Sequence, residues 1–214
     1  MDGIRLAVLD MDGTLLEERS SWTKLHQHFG TAEVGQVGFE QFERGQIDYD
    51  QFMEQDIAAW PRGTHISEID RILADYTLRT DAKATVERLK RRAKVVMISA
   101  GIDVLAKRVA QELGIEYWVA NGLRTDESGR LNGGWINKVD PSRKEAIFEE
   151  ILNQFAIDRR ETMAVGDSVY DMSILKAARV GFFLEGHETA PSGGAVVPIR
   201  RLSDVFEHEL LRGF

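Results

Sequence analysis

The sequence predicts an α/β protein with a Rossmann-like, doubly wound and mainly parallel sheet. Three observations carry that expectation. Four short apolar runs, each ending in Asp, Ser or Gly, lie along the chain. Segments with helical periodicity and capping residues separate the later runs. The runs are apolar throughout rather than alternating, the pattern of strands buried on both faces. Strand and helix signals in alternation mean βαβ units.

Taken in order, "IRLAVLD" (4–10) is the first strand. Residues 16–78 break the rhythm: they are polar, helical in pattern and hold no strand run, which predicts a small helical cap domain inserted after strand one. The α/β core then comprises 1–15 and 79–214. "TDAKATVERLKRR" (80–92) reads as a helix leading into the second strand, "AKVVMISAG" (93–101), with the Ser99 hydroxyl at its tip. "IDVLAKRVAQELG" (102–114) is a helix that Gly114 can close in a left-handed conformation. "YWVANGLRTDESGRLNGGW" (117–135) reads as a β-hairpin turning at "DESG", a second interruption of the βα rhythm. A helix over 140–155 starts with a capping Asp140 and Pro141 at its first position. "TMAVGDS" (162–168) and "VGFFLEG" (180–186) are the third and fourth strands. A helix over 169–178 lies between them, and one over 202–211 closes the chain.

Composition excludes several function classes. The 214 residues carry a formal net charge of −8, which argues against nucleic-acid binding, because a phosphate backbone calls for a basic surface. There is no cysteine, hence no disulfide scaffold, thiolate metal site or Cys nucleophile. No apolar stretch approaches the roughly 18 residues of a membrane span. Asp10 and Asp12 interrupt any signal-peptide pattern at the N-terminus. The expectation is a cytoplasmic protein with no membrane or nucleic-acid partner, monomeric or homodimeric.

The first strand runs straight into two carboxylates, Asp10 and Asp12. Residues i and i+2 of a strand share a side, so both leave the C-terminal end together, where ligands bind in open α/β sheets. Two carboxylates this close repel unless a cation or proton intervenes. The third strand delivers Asp167, and Asp171 four residues on, to the same edge. An oxygen-rich cluster of this kind fits Mg²⁺. Ser99 adds a hydroxyl. Lys144 lies in the first turn of a helix, where a cation opposes the helix dipole and needs another reason to be there.

With those residues in place, the chain resembles the haloacid dehalogenase superfamily. "DMDGTL" (10–15), "ISAG" (98–101), the Lys of "PSRKEAI" and "GDSVYD" (166–171) match its four motifs in order. The layout is similar to the phosphoserine-phosphatase-like branch, with a helical cap after the first motif. The resemblance implies a Mg²⁺-dependent phosphatase acting on a small phosphorylated metabolite. Asp10 would be the nucleophile, forming an aspartyl-phosphate, and Asp12 the general acid and then base. The Asp10 side chain, the Asp12 carbonyl and Asp167 would hold Mg²⁺, with Asp171 as an outer ligand. Ser99, Lys144 and the backbone of Ala100 and Gly101 would bind phosphoryl oxygens. Lys138 is a rival to Lys144, which is preferred for the helix that follows it. An acid at position 12 favours phosphoryl transfer over dehalogenation. A phosphotransferase or mutase would use the same residues, and a non-catalytic receiver module gathers similar ones.

Two positions depart from the branch. Arg19 stands where its phosphoserine-specific members carry a Glu for the substrate amine, and Asp56 where they carry an Arg for the carboxylate. Both reverse the charge and put phosphoserine as substrate in question, with Arg62 a candidate replacement. Tyr170 stands where relatives often have Asn. Trp22, Phe42 and Phe52 are expected to pack the cap, His26 and His28 to lie on its surface or in its packing, and residues near 13–20 and 76–82 to serve as hinges.

Overall fold

The computed structural model describes residues 3–186, 188–190 and 196–214. A seven-stranded sheet runs through it in the order β4-β3-β2-β1-β5-β6-β7. Its strands are β1 (Leu6–Leu9), β2 (Lys94–Ile102), β3 (Tyr117–Thr125), β4 (Leu131–Ile136), β5 (Thr162–Gly166), β6 (Val180–Leu184) and β7 (Val197–Ile199). Every pairing is parallel except β3 with β4. The central strand β1 pairs with β2 (Leu9 opposite Met97) and with β5 (Leu9 opposite Val165).

The period of two is visible in the packing. Leu6 and Val8 of β1 face one buried cluster, with Phe148, Ile151 and Leu152 of helix α7 (Lys144–Phe155) and Ile174 and Leu175 of α8 (Met172–Ala177). Ala7 and Leu9 face the other, with Val86 and Leu89 of α5 (Ala82–Leu89) and Leu105 and Val109 of α6 (Asp103–Leu113). Helices on both faces bury both sets, which is why the strands read as unbroken apolar runs.

Four helices lie between β1 and α5: α1 (Ser21–Phe29), α2 (Ala32–Glu43), α3 (Tyr49–Ala59) and α4 (Ile66–Leu73). No strand falls among the described residues 16–78, although Leu16 and Leu78 form an isolated antiparallel bridge. That bridge brings the two connections side by side, and Arg79 N–H donates to the Leu15 carbonyl at 2.9 Å. The buried side chains of these helices, including Trp22, Phe52, Met53 and Trp60, join the same cluster as α5 and α6.

Four expectations need correction. The segment 117–135 is not a separate interruption. Its hairpin turns at Asp126–Gly129 as expected, with Gly129 at φ 81°, but β3 is also a parallel strand of the main sheet, paired with β2. One further strand is too short to read: β7 has three residues, and among the described residues its partner is β6 alone. Ser99 is not the tip of β2, which continues to Ile102 through a register shift because β3 goes on pairing there, Ile102 opposite Asn121. The closing helix 202–211 is a 3₁₀ segment, Leu202–Glu207. The Asp204 carboxylate accepts from the amides of Arg200 and Arg201, and Ser203 N–H donates to Asp81 instead of to a helical carbonyl. The turn tightens and the helix does not propagate.

Candidate active site

The C-terminal edge of the sheet brings together Asp10, Asp167 and Asp171. One carboxylate oxygen of each lies within 4.8 Å of the others, and all three residues are buried. Asp10 follows β1 directly, and its N–H continues the ladder to the Val165 carbonyl of β5 at 3.0 Å. Asp167 follows β5, so neighbouring parallel strands deliver the two carboxylates side by side. Asp171 ends the 3₁₀ turn Val169–Asp171, whose first residues are tied by its own side chain: Ser168 donates its N–H and hydroxyl to Asp171 Oδ2 at 3.2 and 2.8 Å.

Lys144 supplies the counter-charge. Its Nζ donates to Asp10 Oδ1 at 2.8 Å and to Asp171 Oδ1 at 2.6 Å, and the residue is 3% exposed. Asp140 accepts from Ser142 N–H and hydroxyl and makes a 3₁₀ turn of 141–143, so α7 begins at Lys144 itself. Burial works against the ammonium, but the charges of Asp10 and Asp171 outweigh it and hold its pKa above the ordinary lysine range. Burial raises the Asp10 carboxyl well above its usual range despite Lys144. Burial, and next the charge of Asp171, push Asp167 up to about 6. One ammonium among three carboxylates leaves two negative charges to balance. That deficit, in an all-oxygen donor set, fits a hard divalent cation.

The loop after β1 wraps this cluster. Thr14 hydroxyl donates to Asp167 Oδ1 at 3.0 Å. Gly13 has φ 78°, and a Cβ there would stand 2.1 Å from Asp167 Oδ2. Glycine is required twice over, by conformation and by space. Arg79 grips the same loop, donating Nε and Nη2 to the Gly13 carbonyl at 3.2 and 2.6 Å.

Asp12 is not part of the carboxylate cluster. Its side chain turns to α1, where Ser21 N–H and hydroxyl donate to Asp12 Oδ2 at 3.1 and 2.9 Å. Oδ1 is buried and has no hydrogen-bond partner. Burial lifts the Asp12 carboxyl to about 6 against the pull of those two bonds. Ser99 is 1% exposed, and its hydroxyl oxygen accepts from Gly101 N–H at 3.0 Å, which leaves the hydroxyl hydrogen to donate elsewhere. The Ala100 carbonyl accepts from Trp22 Nε1 at 2.9 Å and from Asn121 Nδ2 at 3.1 Å. Lys138 is exposed, and its charge acts on Asp103.

The departures have structural partners of their own. Asp56 is 2% exposed and faces His26 at 3.2 Å, an ion-pair separation without hydrogen-bond alignment. His26 is therefore packing, held on its other nitrogen by Thr31 Oγ1 at 2.8 Å, whereas His28 is exposed. Arg19 is paired loosely with Glu188 at 3.8 Å, and Arg62 is exposed between α3 and α4. Tyr170 hydroxyl donates to Glu43 at 2.9 Å and its ring stacks on Phe42, tying the fourth motif to α2. Trp22 stacks on Trp60 and Phe42 on Phe52, as aromatic packing among the helices requires.

Ser21, Thr14, Arg79 and Asn121 were not singled out by sequence. Ser21 carried a faint signal as half of a Ser-Ser pair before a helical run, and Thr14 belongs to the first motif. Asn121, inside a hairpin pattern, carried none. It is fully buried, and its Oδ1 accepts from Lys138 and Val139 N–H while its amide serves Tyr49, Ala100 and Val139 oxygens.

Comparison with known proteins agrees with this arrangement. Residues 4–179 match the family model of haloacid dehalogenase-like hydrolases. The phosphoserine phosphatase of Archaeoglobus fulgidus is 31% identical over 186 residues, 86% of this chain and 53% of that protein, so this chain spans about half its length. That of Methanocaldococcus jannaschii is 27% identical over 176 residues, 81% of this chain and 82% of that protein. A substrate-bound phosphoserine phosphatase structure superposes with TM-score 0.80 at 21% identity, covering 97% of this chain and 99% of that one, and shares the fold. The chain belongs to the haloacid dehalogenase-like hydrolases, on their phosphoserine-phosphatase-like branch.

Proposed function

We propose that this protein is a cytoplasmic, Mg²⁺-dependent phosphatase that hydrolyses a small-metabolite phosphomonoester through a phosphorylated Asp10. The observation that carries the reading is the convergence of three buried carboxylates on one buried ammonium at the sheet edge. The Asp10 carboxylate, the Asp12 carbonyl and Asp167 would hold Mg²⁺, with Asp171 outside them because both its oxygens already accept hydrogen bonds from Lys144 and Ser168. When bound, the cation supplies the positive charge that lets an anionic carboxylate approach an anionic ester.

Asp10 attacks phosphorus while the P–O bond to the leaving alcohol breaks. Asp12 donates its proton to the departing oxygen and, as a carboxylate, then takes one from the water that hydrolyses the acyl phosphate. Lys144 and the Ser99 hydroxyl, with the backbone N–H of Ala100, bind the phosphoryl oxygens, the Gly101 N–H being given to Ser99 Oγ. The helices of 16–78 act as a cap that keeps water from the site, with residues near 13–20 and 76–82 as its hinge. Asp56 is committed to His26, and Arg19 is not a carboxylate, so the substrate need not be an amino acid.

A panel of phosphorylated metabolites assayed for phosphate release, with Mg²⁺ and with EDTA, tests the reading. Release from at least one monoester should require Mg²⁺, and Asp10→Asn should abolish it while the far-UV circular dichroism stays unchanged. An Asp10→Asn variant with the wild-type rate would refute the nucleophile assignment.

A further inference from the structure

Ser20, Ser21 and Trp22 open α1 and each side chain has a different task. Ser20 Oγ accepts from Thr23 N–H and caps the helix. Trp22 Nε1 donates to the Ala100 carbonyl and pins the first turn to β2. Ser21, 1% exposed, reaches the first motif. Its Oγ accepts from Ile102 N–H at 3.1 Å, so its hydrogen is free to be given to Asp12 Oδ2, where the Ser21 N–H also arrives. Space is tight: a Cβ on Gly101 would come within 2.4 Å of Asp12 Oδ2 and 2.7 Å of Ser21 Oγ.

We propose that Ser21 is the positioning residue for the acid–base carboxylate Asp12, so that the helical insertion docks on the core through the acid itself. The inference rests on the phosphatase reading given above. Two hydrogen bonds donated to Oδ2 leave Oδ1 as the oxygen that carries the transferable hydrogen, because an oxygen already accepting two donors is a poor place for a proton. Oδ1 is also the oxygen without a partner in the protein. In the first step Asp10 bonds to phosphorus, the P–O bond to the alcohol breaks with its electron pair on oxygen, and the Oδ1 hydrogen passes to that oxygen. Asp12 is left as a carboxylate, stabilised by the same two donors. Ser21 touches no reacting atom and acts through the orientation of Asp12.

A comparison of leaving groups separates this role from a merely structural one. An alkyl alcohol must be protonated as it leaves, whereas 4-nitrophenolate departs as the anion. Ser21→Ala should lower kcat/KM, which reports phosphoryl transfer to Asp10 and not the later hydrolysis in which Asp12 is the base, about tenfold or more on glycerol 3-phosphate, a part of the ~10²–10⁴ that a positioned acid contributes, and by under about threefold on 4-nitrophenyl phosphate. Ser21→Thr, which keeps the hydroxyl, should restore the alkyl rate. Trp22→Phe, which loosens the same helix without touching Asp12, should lower both rates in equal proportion. If Ser21→Ala does not fold by circular dichroism, Ser21→Cys, a weak donor of similar size, carries the same comparison. Equal losses on both esters, or none on either, would overturn the assignment of Ser21 alone. A wild-type enzyme inert towards both esters with Mg²⁺ would overturn the phosphatase reading and this inference with it.

Discussion

Asp167 shows how burial and like charge make one residue respond to pH and to metal together. Its folded pKa of about 6 lies above the ordinary 3.8, and that of Asp10 is raised as well, by burial. A raised folded pKa means that the fold favours the protonated form. The stability this gives is complete below the unfolded pKa and is lost as pH rises through about 6. A divalent cation needs the ionised carboxylates, so protons and metal compete for them. The stabilisation conferred by Mg²⁺, read as the rise in melting temperature, should therefore be small at pH 5 and grow towards pH 7.5. A rise independent of pH would mean that Asp167 and Asp10 are not the ligands. Gly13 is the second residue whose identity the site dictates. Gly13→Ala places a side chain at positive φ and inside contact distance of Asp167, with a backbone cost of about 1–3 kcal/mol. It should abolish both turnover and the Mg²⁺-dependent rise in melting temperature, whereas Gly45→Ala, at φ 65° but with open space around it, should cost stability alone.

At the scale of elements, Asp10, Asp167 and Lys144 are placed by strand ends and a helix start. β1 and β5 end level with each other and deliver Asp10 and Asp167, and a 3₁₀ turn ahead of α7 sets Lys144 at the first helical position. β2 and β3 are locked by Asn121, whose side chain joins Ala100 to the backbone of Lys138 and Val139. Asn121→Ala should destabilise the protein by about 2–4 kcal/mol, since it leaves several buried backbone groups unpaired. Denaturant unfolding would check this, and a loss under about 0.5 kcal/mol, the range of an ordinary surface substitution, would contradict it. These elements were unequally legible in the sequence. The strands that carry the motifs are buried on both faces and read as apolar runs closed by acidic or glycine residues. β3 did not, because it is parallel to β2 on one edge and antiparallel to β4 on the other, and its polar half resembles an isolated hairpin. The carboxylates and Lys144 were readable because charge at a strand end or helix start is costly without a partner, whereas Ser99, expected at a strand tip, lies inside β2. Ser21 and Asn121 were not, because their roles depend on contacts 9 and 17–21 residues away that composition and period do not encode.

The whole molecule is acidic, with a formal net charge of −8, and is proposed to take an anionic substrate. The two are compatible because the anion would meet Lys144, backbone N–H groups and a cation locally, and local field outweighs net charge at contact distance. The described residues include no helix long and apolar enough to cross a membrane. The helices between β1 and α5 share their buried cluster with one face of the sheet and touch the first motif through Ser21 and the fourth through Tyr170. Their arrangement bears on both Asp12 and the carboxylate cluster. The most direct test is to mix enzyme, Mg²⁺ and a hydrolysed monoester, quench in acid within milliseconds and map phosphate by peptide mass spectrometry. The account predicts a phosphoryl group on Asp10, absent when Mg²⁺ is withheld. Phosphate on a different residue, or steady turnover with Asp10 unmodified and replaceable by Asn, would contradict it.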